Sequence, residues 1–300
     1  MEVTRGGTVE SRHRVHAAAV RDGELVGAAG DADLVTFMRS AAKPLQALPL
    51  VRAVADLPPD VIAIACASHL ARPDQLAPVD ALLARAHASA ERDLECGPAG
   101  HPPKRINHNC SGKHAGMLAL CHARGWERTG YRLAGHPVQE AMLEEVACAA
   151  EVEAEAIPTA VDGCGVVTFA LPLERMAHAF SRLAGREGGA RVTTAMRARP
   201  ELIRGEGSAD TDLMRALDGW VAKGGAEGLL CAAGPDGTGV ALKSEDGSSR
   251  PLKPALAGLL ARLGVELEES FRRVPVHNSR GEVVGEILAG KTTARRRPFT

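Results

Sequence analysis

Strand-like segments at both ends of the chain, with a helix-rich stretch between them, constrain this sequence most. Residues 14–20 and 24–29 flank Asp22-Gly23, the turn chemistry of a two-residue hairpin loop. Residues 227–233 and 238–243 flank Gly234-Pro235-Asp236-Gly237, and 274–277 and 282–287 flank Asn278-Ser279-Arg280-Gly281. Between these ends, 40–55, 75–89, 114–124, 137–150, 173–183, 190–197 and 210–223 carry apolar residues at helical period. A further helix is expected at 253–263, between the last two hairpins, and Pro137 suits a first-turn position. The expectation is an α+β sandwich within one domain over 1–300. Its antiparallel sheet is drawn from about 10–36 and 226–290, and its middle, 40–225, is largely helical.

The composition removes several function classes. An apolar share of 45% and a charged share of 24% describe a folded chain. A net charge of −1 leaves no basic surface for a nucleic-acid backbone. Apolar runs such as 61–67 are too short to span a bilayer, and the first residues lack the apolar region of a signal peptide. Seven cysteines, an odd and scattered set, suit a reducing cytoplasm rather than a disulfide framework. Only seven of the 36 basic residues are lysine. Each lysine therefore raises the question of what arginine could not do in its place.

The sequence Arg39-Ser40-Ala41-Ala42-Lys43 holds Ser-x-x-Lys at a helix start, which sets Ser40 and Lys43 on one face. A serine hydroxyl needs a base, and a lysine made neutral by burial or by a neighbouring cation can serve; a guanidinium cannot. The plainer reading is a helix-capping serine with a solvated lysine.

The densest chemistry is Asn107-His108-Asn109-Cys110-Ser111-Gly112-Lys113-His114, where Cys110, Lys113 and His114 share a helical face. A second node, Asp162-Gly163-Cys164-Gly165, has the glycines of a tight turn. Two thiolates and a nitrogen would make a zinc site with an open position; the plainer reading of either node alone is a capped loop-to-helix junction with buried structural cysteines. Cys110 and Cys164 supply the thiolates, and Lys113, His114 and Asp162 compete as third ligand. The remaining cysteines read as core fillers. Two weaker nodes complete the set. Ser68 and His69 follow an apolar run. Lys243 ends a strand, where it is either a solvated edge residue or a cation that lowers the Lys43 pKa or steadies an oxyanion.

In order, Arg39-Ser40-Ala41-Ala42-Lys43-Pro44-Leu45-Gln46, Ala67-Ser68-His69, Asn109 to His114, His136-Pro137-Val138-Gln139, Asp162 to Gly165, and Ala241-Leu242-Lys243 resemble the rhizobial-type (class 3) L-asparaginases over about 10–290. The resemblance implies a serine β-lactamase/glutaminase-like fold, a homodimer, and hydrolysis of L-asparagine to L-aspartate and ammonia. It implies two serine–lysine tandems, Ser40 with Lys43 and Ser68 with Lys243, and a zinc ion on Cys110, Lys113 and Cys164. Arg39, His69, His114 and Asp162 fall beside them as substrate-binding positions. The alternatives are a related serine amidohydrolase acting on glutamine or a β-lactam, or a zinc-binding relative without turnover. Lys291-Thr292-Thr293 stands where a penicillin-binding protein would need Lys-Thr-Gly, and Ser-Asp-Asn is missing.

Overall fold

The two short-loop hairpins form where their turn residues place them. In the computed structural model, which describes residues 1–290, β3 (Val15–Arg21) and β4 (Glu24–Ala29) meet at Asp22-Gly23, both at positive φ. Strands β9 (Leu229–Ala233) and β10 (Gly239–Ser244) meet at the second glycine-rich turn. With β8 (Val221–Gly225) they build an antiparallel five-stranded sheet in the order β4-β3-β10-β9-β8. Ala17 faces Leu242 and His16 faces Lys243 across the junction of the two chain ends. The inner strands are buried almost throughout, because helix Leu173–Arg182 and helix Leu252–Arg262 cover the sheet. Small alanines at 17–19 and 232–233 let those helices approach closely.

The antiparallel sheet drawn from both termini is present, but its expected bounds need correcting at 274–288. The hairpin β11 (Val274–His277) and β12 (Val283–Leu288) does not join it. It pairs instead with β1 (Glu2–Arg5) and β2 (Thr8–Arg12), in the order β11-β12-β1-β2. The first nine residues, left out of the expected sheet, are thus part of a second one. A third sheet, β5 (Val35–Phe37), β7 (Val167–Pro172) and β6 (Thr159–Val161), lies partly within the stretch read as helical.

The helices follow their periodicity except where proline or glycine intervenes. Pro137–Ala150 has the expected bounds. The 40–55 segment breaks into Arg39–Ala42, Lys43–Gln46 and Leu48–Ala53, each later piece starting at a proline in its first turn. The 210–223 segment is helical only over Ala209–Ala216. The Asp218-Gly219 turn then delivers the chain into β8. The apolar run before Ser68 is helix Pro59–Ala65. Lys291-Thr292-Thr293 lies outside the described residues, among which no helix is long and apolar enough to cross a membrane.

Candidate active site

Ser40 sits at the start of the short helix Arg39–Ala42, half-buried. The residue before it, Arg39, takes a left-handed backbone (φ 50°), unusual for a side chain with a Cβ. Two contacts hold it there. Its amide donates to Thr168 Oγ1 at 3.2 Å, and its guanidinium Nε donates to Asp162 Oδ1 at 2.6 Å. The polar node at 162–164 therefore fixes the backbone that presents Ser40.

Lys43 is fully buried, and the hydrogen bonds of its amine go to partners other than Ser40. Its Nζ donates to the Ala67 carbonyl and lies 3.0 Å from Ser68 Oγ. No hydrogen bond joins it to Ser40 among the described residues. The reason lies in how the two segments meet: helix Pro59–Ala65 ends against the Lys43 turn and delivers Ser68, 2% exposed, onto the amine. Ser40 and Ser68 both line a cavity of about 840 Å³, whose walls include Asn109, Arg204, Asp210 and Gly224.

Lys243 is not the second lysine of this cluster. Its Nζ donates to the neighbouring Ser244 carbonyl, and it does not line the cavity. In register it lies beside Leu229, which in turn faces Gly225. It stands two strands, at about 4.8 Å each, from the edge strand β8 that borders the serines. The lysine on that edge strand is Lys223, wholly buried beside Asp210 (Nζ to Oδ2 3.4 Å) and donating to Gly224 O at 2.7 Å. Burial pushes its amine down to about 8, helped by the nearby positive Lys43 and Arg204 and resisted by Asp210. Helical period over 210–223 hides it in the sequence. The signals that find it are lysine scarcity, the Asp218-Gly219 turn and the strand-like Trp220-Val221-Ala222 before Lys223-Gly224-Gly225.

The histidines divide. His69 was expected beside the substrate, but both its ring nitrogens serve the protein. Nδ1 accepts from Ala71 N (3.1 Å), so Nε2 carries the proton and donates to Ser111 Oγ (2.8 Å), which donates on to Ile106 O (2.7 Å). Burial, with Lys43 adding to it, drops the imidazole to about 4, which keeps it neutral. At 1% exposure it locks the Ser68 loop to the next helix and does not reach the cavity. His114 is also buried and pushed well below its ordinary value, chiefly by burial. Its Nδ1 lies 2.7 Å from Tyr131 Oη, and its Nε2 has no partner.

Cys110, Lys113 and Cys164 do come together. Gly112 makes this possible: a Cβ there would lie 2.3 Å from the Ile64 carbonyl, so only glycine lets helix Ser111–Arg124 settle against helix Pro59–Ala65. Lys113 Nζ donates to Cys164 Sγ at 3.3 Å. The hydrogen bond from Cys164 holds Cys110 well below its ordinary value, and the same bond pushes Cys164 far up. Burial alone would lower Lys113, but the two sulfurs and Asp162 outweigh it and raise the amine. All three side chains are buried. No group of three or more His, Cys, Asp or Glu side chains gathers at ligating distance among the described residues. A cation here would need the amine as its third donor, and two thiols with a displaceable ammonium suit zinc. Of the cysteines read as core fillers, 66, 96, 121 and 231 are buried. Cys148 is exposed, beside Arg186.

An antiparallel five-stranded sheet between helices, with Ser-x-x-Lys at a helix start beside its edge strand, defines the serine β-lactamase and glutaminase class of fold. Within that class the chain belongs to the L-asparaginase II family, whose model matches residues 1–289. It is therefore a member of an amidohydrolase family, the one to which the order of its motifs points. No curated protein matches it in sequence. Among solved structures it is similar to a putative β-lactamase from Bacteroides dorei DSM 17855 (13% identity, 83% of this chain and 93% of that one, TM-score 0.50). It is also similar to Mglu in its native form (14% identity, 84% and 65%, TM-score 0.48) and to SurE with D-Leu (14%, 93% and 83%, TM-score 0.43). The aligned region spans 65% of the Mglu chain.

Proposed function

We propose that the chain is an L-asparaginase, which hydrolyses the side-chain amide of L-asparagine to L-aspartate and ammonia. The observation that carries this reading is the Lys43–Ser68 contact in a cavity wall that also presents Ser40, with a second buried lysine, Lys223, alongside. Ser40, the more exposed serine, attacks the carboxamide carbon. Its proton passes to Lys43 through the Ser68 hydroxyl, already in contact with that amine. The tetrahedral adduct collapses as the amide nitrogen takes the proton back from Lys43, and ammonia leaves. Water then hydrolyses the aspartyl ester and restores Ser40.

Cys110, Lys113 and Cys164 would hold zinc. When bound, the ion would supply positive charge beside the cavity that orders an anionic substrate group. Asp162, through Arg39, links that node to the Ser40 backbone. The free thiols favour a reducing compartment, and the homodimer implied by the motifs belongs to the same reading. The test is ammonia release from asparagine and from glutamine, with and without zinc. Asparagine is expected to be the better substrate, and Ser40→Ala to lower kcat by at least about a thousandfold. Full activity in Ser40→Ala would overturn the assignment.

A further inference from the structure

The cavity that holds Ser40 and Ser68 also takes in part of the second sheet. Its volume of about 840 Å³ falls among sites of about 300–1,000 Å³, which enclose ligands much larger than a free amino acid. One wall is the end of β8 with its turn, Gly224 to Gly228. Gly225 packs on the serine segment, where a Cβ would stand 2.8 Å from the Met38 carbonyl. The one long side chain of that turn, Glu227, lies against Gly247, where a Cβ would meet its Oε2 at 2.6 Å. Another wall is β11, with Leu252 and Ile287.

Strand β11 is an edge strand: β12 pairs with one side of it and, among the described residues, no strand pairs with the other. All four of its residues border the cavity. Val274 and Val276 share a face with Ile287, and Pro275 and His277 lie on the opposite face. Residues of both faces can border one space only where that space runs along the open edge. The extra residue of the register shift after Val276 is Val284, on β12, so β11 keeps its alternation. Asn278, next in the chain, donates from its amide to Glu282 O at 3.0 Å, toward β12. By alternation Val276 also turns its backbone groups to β12, and Pro275 and His277 turn theirs away. Proline is tolerated there because it has no amide to lose. The open edge thus offers the cavity the Pro275 carbonyl and the His277 amide, an acceptor and a donor spaced for one residue of extended chain.

An open strand edge inside a cavity recognises extended backbone, because a peptide's own N–H and C=O groups continue the ladder. We propose that the substrates of this site include peptides: an asparagine within an extended peptide presents its side-chain amide to Ser40 while another residue of that peptide pairs with β11 beside Val276. That residue donates its N–H to the Pro275 carbonyl and accepts from the His277 amide. Its side chain falls on the Val276 face, next to Leu252 and Ile287, so an apolar residue suits the position. The bonds made and broken are those already described. The carboxamide C–N bond breaks, ammonia leaves, water hydrolyses the serine ester, and the peptide backbone stays intact with aspartate in place of asparagine. The proposal rests on the amidohydrolase reading above and widens its substrate from the free amino acid to peptides.

The probe is a short fluorescent peptide, capped at both ends, with asparagine at its centre among valines and alanines. A companion set carries a methyl group on each backbone nitrogen in turn. Binding to the whole protein is read by fluorescence anisotropy and turnover by ammonia release. The parent peptide is expected to bind and to release ammonia. Methylation should weaken binding by at least about tenfold at the one position that donates to the Pro275 carbonyl, and change it little at the other positions away from the asparagine. Amide hydrogen exchange at His277 should slow when the peptide binds. A peptide that does not bind, a methyl scan that is flat, or an unmoved His277 amide would overturn the proposal. These readouts test the protein without relying on a β11 variant that might misfold. Binding with the β11 signature but no ammonia from any substrate would count against the amidohydrolase reading alone. Ammonia from free asparagine with the peptide neither bound nor hydrolysed would count against this proposal alone.

Discussion

Arg39 Nε donates to Asp162 Oδ1 at 2.6 Å, and this one bond couples the serine segment to the thiol node. Arg39 occupies a left-handed conformation that costs on the order of 1 kcal/mol and persists only while its contacts hold it. Asp162→Ala removes the stronger of the two contacts and leaves the guanidinium, 27% exposed, to reach solvent. The expected result is a stability loss of about 1–2 kcal/mol with a larger loss of kcat, as the Ser40 backbone relaxes. Thermal unfolding and ammonia release on one preparation would separate the two effects. A variant that lost stability with kcat unchanged would show that the bond only braces the fold.

The contact between helix Ser111–Arg124 and helix Pro59–Ala65 depends on Gly112. A methyl there meets the Ile64 carbonyl, a backbone atom that cannot swing aside. Gly112→Ala should therefore destabilise by about 1–3 kcal/mol despite its better helix propensity, because the helices must separate. Urea unfolding should show a lower midpoint with a similar slope. A midpoint at or above wild type would mean that the helices have room to spare.

Lys223 makes stability depend on pH in a defined direction. Its folded-state value, about 8, lies below the ordinary 10.5. The unfolded chain therefore binds the proton more tightly, and between about 8 and 10.5 it holds more protons than the folded one. Stability from this group rises across that window as pH increases. Below about 8 the penalty of burying the ammonium is fully present, by up to about 3 kcal/mol. The check is to compare denaturation midpoints at pH 7 and 10 for wild type and for the Lys223→Met, Asp210→Asn double variant. Wild type should gain relative to the double variant at the higher pH; a relative loss would reverse the sign of the shift.

Much of the main sheet was legible in the sequence because Asp22-Gly23 and Gly234-Pro235-Asp236-Gly237 demand hairpins by local backbone chemistry alone. What local pattern could not decide was which strands pair. The 274–288 hairpin is well formed, yet nothing within it says that its neighbour is β1 rather than the central sheet. The site followed the same division. Cys110, Lys113 and Cys164 do converge, because a helix face and a glycine-flanked turn are local features. The pairing of Lys43 with Ser68 instead of Ser40 depends on where a separate helix ends. Lys223 was hidden by period: Asp210 to Lys223 satisfies a helical pattern, and only the Asp218-Gly219 turn betrays the change to strand.

The thiol node yields the sharpest test of a metal. Lys113 Nζ donates to Cys164 Sγ and is held above its ordinary value, and Cys110 is held well below its own. Zinc binding would displace the proton of the Cys164 thiol and one from the amine, so affinity should climb with pH. The chain is expected to bind one zinc, counted by metal analysis after dialysis. Cys110→Ser and Cys164→Ser should each weaken binding by at least about a hundredfold, since a hydroxyl is a far poorer ligand for this ion. Lys113→Arg separates coordination from charge: a guanidinium keeps the positive charge beside the sulfurs but cannot offer a neutral amine. It should lose the metal as completely as either serine variant. If Lys113→Arg retained zinc at wild-type affinity, the amine would be no ligand, and the third donor would have to come from outside Cys110, Lys113 and Cys164.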